Sequence, residues 1–186
     1  QREKLMADPD YEWKPVAWLV RVGGKGELLG IEGTHYTPPQ EGKKKPKPVP
    51  KRFLVPREGS RTSGDRAFLL CDKAEYAFGM DPAGDRPSEK LISRRELFRE
   101  RVHECLKATN DDGVRAVDRF LDSLATREVP LTLPDGCVSN DLFAFVYGPD
   151  IDCLVTDRPG PRSFWKAQRR SDGNTDSSST QCLVSG

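Results

Sequence analysis

The stretch from Thr37 to Pro50 sets the strongest limit on what this chain can fold into. It holds Pro38, Pro39, Pro46, Pro48 and Pro50, and Lys43, Lys44, Lys45 and Lys47 stand among them. Each proline fixes φ and removes a backbone donor, so the stretch can be neither a helix nor a central strand. It reads as an exposed, extended, polyproline-like basic loop. Whatever precedes and follows it must supply the core.

The preceding segment has strand character. Val16, Trp18 and Val20 alternate with Ala17, Leu19 and Arg21. Both sets are largely apolar, so the reading is one strand over Pro15 to Val22, covered on both faces. Gly23-Gly24-Lys25-Gly26 supplies the positive φ angles of a tight hairpin, and Glu27 to Gly33 returns as its second strand. After the basic loop, Phe53-Leu54-Val55 makes a short strand, Arg57 to Arg66 a polar loop, Ala67 to Cys71 an apolar run, and Tyr76 to Phe78 one more short strand.

The period then changes. Ser93 followed by Glu96 has the form of a capping box, and Phe98, Val102, Cys105 and Leu106 share one helical face. Asn110-Asp111-Asp112 ends that helix and caps a second, with an apolar stripe of Val114, Val117, Phe120, Leu121 and Leu124. Together they form an αα-hairpin. Leu142 to Tyr147 and Cys153 to Val155 return as strands, and Ser171 to Thr180 reads as a polar, flexible linker. The expected fold class is α+β, a mainly antiparallel sheet with extended basic loops and an αα-hairpin. Residues 1–170 form one domain, with the basic loop over 37–52 and the helical hairpin over 93–126. Residues 171–186 form a flexible linker and the start of a following region.

Charge is unevenly spread. The chain has 30 basic and 29 acidic residues, so the total favours no partner. Between Lys43 and Arg66, however, nine basic side chains face two acidic ones, and between Asp111 and Asp157 ten acids face three arginines. The first region attracts a polyanion and the second repels it, or faces a basic partner. Lysines on a proline-stiffened loop neutralise phosphates at low entropic cost. The loop Arg57 to Asp65 has two glycines, short hydroxyl side chains and two arginines, which suit close approach to a sugar–phosphate chain or a groove. The bland alternatives are a solvated loop for the first and an ordinary polar turn for the second, with Arg61 paired to an acid such as Asp65.

Chemistry of its own is not expected. His35 and His103 are the only histidines. There is no nucleophile elbow, zinc-protease helix or phosphate-loop signature, and the glycine cluster at 23–26 opens no helix. Cys71, Cys105, Cys137, Cys153 and Cys182 are odd in number, widely spaced and without a close pair, which predicts idle thiols in a reducing cytoplasm and no zinc site. No signal peptide or membrane-length apolar run is read, and no cofactor or metal is expected.

Several segments, taken as an ordered set, resemble the large-subunit family of type I-C CRISPR surveillance complexes (Cascade; the Cas-eight family, Dvulg subtype). After a strand hairpin and a lysine-rich loop, that family carries segments like FLVP, RTSG, an aromatic-rich FLWDN-x-x-Y-x-x-G, and CLVTG. Here they stand as Phe53 to Pro56, Arg61 to Gly64, Phe68 to Gly79, and Cys182 to Gly186. Cys71 and Lys73 depart from the pattern, replacing the family's Trp and Asn, so that a point charge stands for an amide. Family members continue further, so the chain reads as the N-terminal third of the subunit. The resemblance implies a non-catalytic DNA-binding role: recognising the protospacer-adjacent motif (PAM) of duplex DNA and helping to start strand separation, while guide pairing reads the target. Its implied partners are double-stranded target DNA, crRNA, other Cascade subunits and a recruited helicase–nuclease, and no membrane. The DNA-binding candidates are Lys43, Lys44, Lys45, Lys47, Lys51, Arg52, Arg57, Arg61, Thr62, Ser63 and Lys73. The competing expectations are a structural module that anchors crRNA and backbone subunits without reading DNA, and a nuclease hidden in the acidic half.

Overall fold

The computed structural model describes residues 8–39, 47–62, 64–128, 130–150 and 153–178. Lys43, Lys44, Lys45 and Ser63 lie outside them, as does the segment 179–186. Among the described residues, six strands and four α-helices follow in the order β1 (Tyr11–Pro15), β2 (Trp18–Val22), β3 (Leu28–Gly33), β4 (Arg52–Pro56), β5 (Cys71–Lys73), α1 (Ala74–Ala77), α2 (Ser88–Thr109), α3 (Asp112–Ala125), β6 (Leu142–Tyr147) and α4 (Pro159–Ser178). The class is α+β. A four-stranded sheet has the order β3-β2-β6-β5, and β1 and β4 form a separate two-stranded ribbon.

The pairings are antiparallel except for one: β2 runs parallel to β6, with Trp18 opposite Phe143 and Val22 opposite Tyr147. The expected single strand over Pro15 to Val22 is in fact two. Its chain leaves the ribbon at Val16, whose N–H donates to the Lys51 carbonyl, and enters the sheet at Ala17, whose N–H donates to the Leu142 carbonyl. A run apolar on both sides cannot show such a change of sheet, because burial is continuous through it.

Both faces of the sheet are covered. Val20, Val22, Phe143 and Phe145 face the helices and join Phe78, Phe98, Val102, Val117 and Phe120 in the main core. Phe78 meets Phe143 edge-on at 5.0 Å between centroids. The opposite face, with Ala144, Val146 and Cys71, packs against Val55 and Leu154. The hairpin glycines also hold a helix close. Gly26 has φ +86°, and a Cβ there would lie 2.6 Å from Cβ of Arg119 on α3, so a side chain would push hairpin and helix apart.

The helical hairpin forms as expected at its centre. Asn110 takes a left-handed conformation (φ 52°), and Asp111 caps α3 by accepting from the Gly113 and Val114 amides at 2.8 and 3.1 Å. Its start differs. α2 begins at Ser88 after Pro87, placing Ser93 inside the helix, because a proline at the entry pre-sets φ and starts the helix more than a turn earlier. Tyr76–Phe78 is not a strand: Tyr76 and Ala77 belong to α1 and Phe78 ends it. An apolar run that short does not distinguish strand from helix turn. Cys153–Val155 reduces to a single bridge, Leu154 to Val146, followed by a 3-10 turn at Val155–Asp157. The polar segment from Ser171 is helical to Ser178, continuing α4. Its anchor lies upstream, where buried Trp165 donates to the Asp10 carbonyl at 2.7 Å. Tertiary packing of the first turns overrides the weak propensity of the rest.

Candidate nucleic-acid interface

The basic stretch leads into the ribbon. Tyr36 and Val49 bridge the base of the proline-rich loop, and Thr34 ties its exit by donating to the Val16 carbonyl at 2.5 Å and accepting from the Lys51 amide at 3.2 Å. Lys47, Lys51 and Arg52 emerge exposed, beside exposed Trp13, Tyr36 and Val49. Arg52 donates to the Trp13 carbonyl at 2.6 Å, which lays its guanidinium along the ribbon. Arg57, also exposed, donates to the Tyr11 carbonyl at 3.2 Å.

The loop after β4 turns out and back on two glycines in the left-handed region, Gly59 (φ +72°) and Gly64 (φ +74°), with nothing near the site of a Cβ. Those positions need glycine for backbone direction and not for space. Gly59, Ser60, Thr62 and Gly64 are exposed. Arg61 turns inward. One terminal nitrogen reaches both oxygens of Asp72 at 2.6 and 2.5 Å, and Nε donates to the Arg66 carbonyl at 2.6 Å. Its guanidinium lies between the Phe68 and Tyr76 rings, 3.8 and 4.0 Å from their centroids. The carboxylate that takes Arg61 is Asp72, not Asp65.

Asp72 is wholly buried and also accepts from the Phe68 and Lys73 amides at 2.7 and 2.8 Å. Burial pushes its carboxyl above the ordinary value, against the pull of Arg61. Asp65 accepts from Arg94 at 2.7 Å and from the Tyr76 hydroxyl at 3.1 Å. The Arg94 hydrogen bond holds the Asp65 carboxyl below its usual range. Arg94 occupies the buried stripe of α2 with Phe98, Val102 and Cys105, and its second branch binds buried Glu75, which Arg86 also contacts at 2.6 Å. An arginine in a core stripe is tolerated because two carboxylates satisfy its fork. Two charged staples and a ring sandwich thus fix the loop to β5, α1 and α2, while its tip stays open to solvent.

Lys73 lies at the start of α1, and its ammonium donates to Asn140 Oδ1 at 2.7 Å. The two histidines each have a neighbour: His35 meets Trp18 edge-on at 5.7 Å, and His103 Nδ1 lies 3.3 Å from Asp118. Among the described residues no group of three or more His, Cys, Asp or Glu is arranged to hold a metal ion, and no helix is long and apolar enough to cross a membrane. Cys71 and Cys105 are buried, and burial pushes the Cys105 thiol up to about 12.

Sequence reasoning missed Asp72, Glu75 and Arg94, which hold the loop. Asp72 directly precedes Lys73 in the aromatic-rich segment, so its place was visible. Its pairing was not.

No curated protein matches this sequence. The family model of CRISPR-associated proteins termed Cas_Csd1 matches residues 1–186, the whole chain. An α+β scaffold that presents a stapled loop and a basic ribbon belongs, in this chain, to the Cas_Csd1 family of CRISPR-associated proteins, components of Cascade-type assemblies.

Proposed function

We propose that the chain is the PAM-recognising part of the large subunit of a type I-C Cascade, binding duplex DNA without cleaving it and helping to begin strand separation. The observation that carries this reading is the loop at 57–66: its base is locked by Arg61–Asp72 and Arg94–Asp65, and its tip is exposed at the end of a basic ribbon. Rigid presentation of a short tip is what groove reading requires. Phosphate contacts set position and base contacts set specificity. Lys47, Lys51, Arg52 and Arg57 suit the first role, with Lys43, Lys44 and Lys45 of the same loop. Thr62 and its neighbour Ser63 suit the second. Arg61 is a positioning residue, since its Nε and one terminal nitrogen are held by the Arg66 carbonyl and Asp72. Lys73 is a further backbone contact. Guide pairing then reads the remaining sequence, in concert with crRNA, the other Cascade subunits and a recruited helicase–nuclease.

The test uses the reconstituted complex with crRNA and target duplexes carrying randomised flanking bases. Thr62→Ala with Ser63→Ala is expected to lower discrimination between PAM and PAM-less targets, at about 1–3 kcal/mol per lost base contact. Unchanged discrimination by an assembled complex refutes the reading, as does Mg²⁺-dependent cleavage that follows the purified subunit. Lost assembly in place of lost discrimination would favour a crRNA-anchoring module.

A further inference from the structure

Behind the reading loop, between its flanks and helix α4, lies a cleft of about 560 Å³. Four arginines from three separate parts of the chain line it: Arg57 and Arg66 at the two ends of the loop, Arg101 from α2 and Arg169 from α4. Two carboxylates, Glu58 and Asp172, lie in the same lining, so guanidiniums outnumber carboxylates two to one.

These arginines are only partly used within the protein. Arg101 spends one nitrogen on Glu58 at 3.2 Å and lies 5.8 Å from the Trp165 ring centroid, and its buried Nε has no partner. Arg66 donates to the Glu58 carbonyl, Arg57 to the Tyr11 carbonyl at 3.2 Å, and Arg169 stands 3.6 Å from Asp10. A guanidinium has five N–H donors, and each of these contacts occupies one or two. The walls are firm: Trp165 is buried and bonded to Asp10, and Glu58 is fixed by the Leu69 amide. Several planar forks lining one firm-walled cleft suit a tetrahedral oxyanion, which accepts several charge-assisted hydrogen bonds at once.

We propose that this arginine cleft is a phosphate-binding site that takes one backbone phosphodiester of a bound nucleic acid, behind the loop that reads the bases. It rests on the DNA-binding reading above and adds residues that reading does not use, Arg66, Arg101 and Arg169. Arg57 and Arg66 border both surfaces, so a phosphate seated in the cleft fixes the two ends of the loop while its tip enters a groove.

Arg169 is the residue to change, because it is exposed on α4 and its substitution leaves the Glu58 cluster intact. The probes are a 20-base-pair duplex and inorganic phosphate, each applied to the full protein. Arg169→Gln is expected to bind the duplex about three- to tenfold more weakly, the loss of one charge-assisted contact. The slope of log affinity against log salt should fall by about 0.9. Arg169→Lys should keep most of the slope. A rise in melting temperature with phosphate, present in wild type and absent in Arg169→Gln, with duplex binding unchanged, makes a free phosphate species the occupant and overturns the nucleic-acid assignment. Wild-type behaviour of Arg169→Gln toward both probes overturns the cleft, and so does displacement of the duplex by polyglutamate alone. Lys51→Gln/Arg52→Gln separates the two readings. If that variant weakens DNA binding and Arg169→Gln does not, the ribbon stands and the cleft falls; the reverse keeps the cleft and removes the ribbon.

Discussion

Two groups of arginines in this molecule have opposite fates. Arg61 and Arg94 point inward, each locked to carboxylates, with side chains 17% and 10% exposed. Arg52 and Arg169 point outward: Arg52 donates to the Trp13 carbonyl, and Arg169 meets Asp10 at 3.6 Å. In the sequence, Arg52 and Arg61 count equally toward the same basic stretch. The difference is whether a carboxylate waits within hydrogen-bond distance, as Asp72 and Asp65 do and Asp10 at 3.6 Å does not. A paired, desolvated charge organises the fold, because removing its partner strands it, whereas an exposed cation is available to an outside anion.

Asp72→Ala cuts this comparison at its inward end and should have the largest effect. It leaves the Arg61 fork unpaired between two rings and orphans the Phe68 and Lys73 amides. The expected loss is about 3–5 kcal/mol, read as a lowered midpoint in urea unfolding. A loss under about 1 kcal/mol would mean that Arg61 does not depend on Asp72. A smaller effect should come from Glu58, whose carboxyl burial raises above its ordinary 4.5. Ionisation therefore costs the folded state: the contribution of Glu58 is fully present below about 4.5 and declines as pH rises through the raised value. Unfolding of wild type and Glu58→Gln across this window should show the wild-type advantage shrinking with rising pH. An advantage that grows instead would mean that Arg101 outweighs burial. At the outward end, Lys51→Gln with Arg52→Gln should change stability by no more than about 0.5 kcal/mol. The same change should flatten the salt slope of duplex binding by about 2 if both meet phosphates. A large stability loss would move these two into the structural group.

Much of the fold was legible because its signals are local. The glycines at 23–26 mark the first hairpin, the helical period of Phe98, Val102 and Cys105 marks α2, and Asp111 marks the start of α3. What escaped is carried by distant partners. Nothing near Trp18 says that its strand neighbour is Phe143, nor does the polar tail of α4 reveal that Trp165 anchors its start. The site divides the same way. The exposed basic ribbon was readable from composition, since lysines among prolines have nowhere to bury. The inward turn of Arg61 was not, because its partner lies eleven residues on, across a turn the sequence does not specify.

The parallel pairing of β2 with β6 also bears on the order in which the chain folds. β2 cannot be flanked on both sides until Leu142–Tyr147 has been synthesised, so the central strand waits with one edge bare while the ribbon and helices α2 and α3 emerge. At about 5–20 residues per second, the 125 positions between Trp18 and Phe143 take on the order of 6–25 s on a ribosome. During that interval the nascent protein holds an apolar strand open to mispairing, and β6 works as the clasp that closes it.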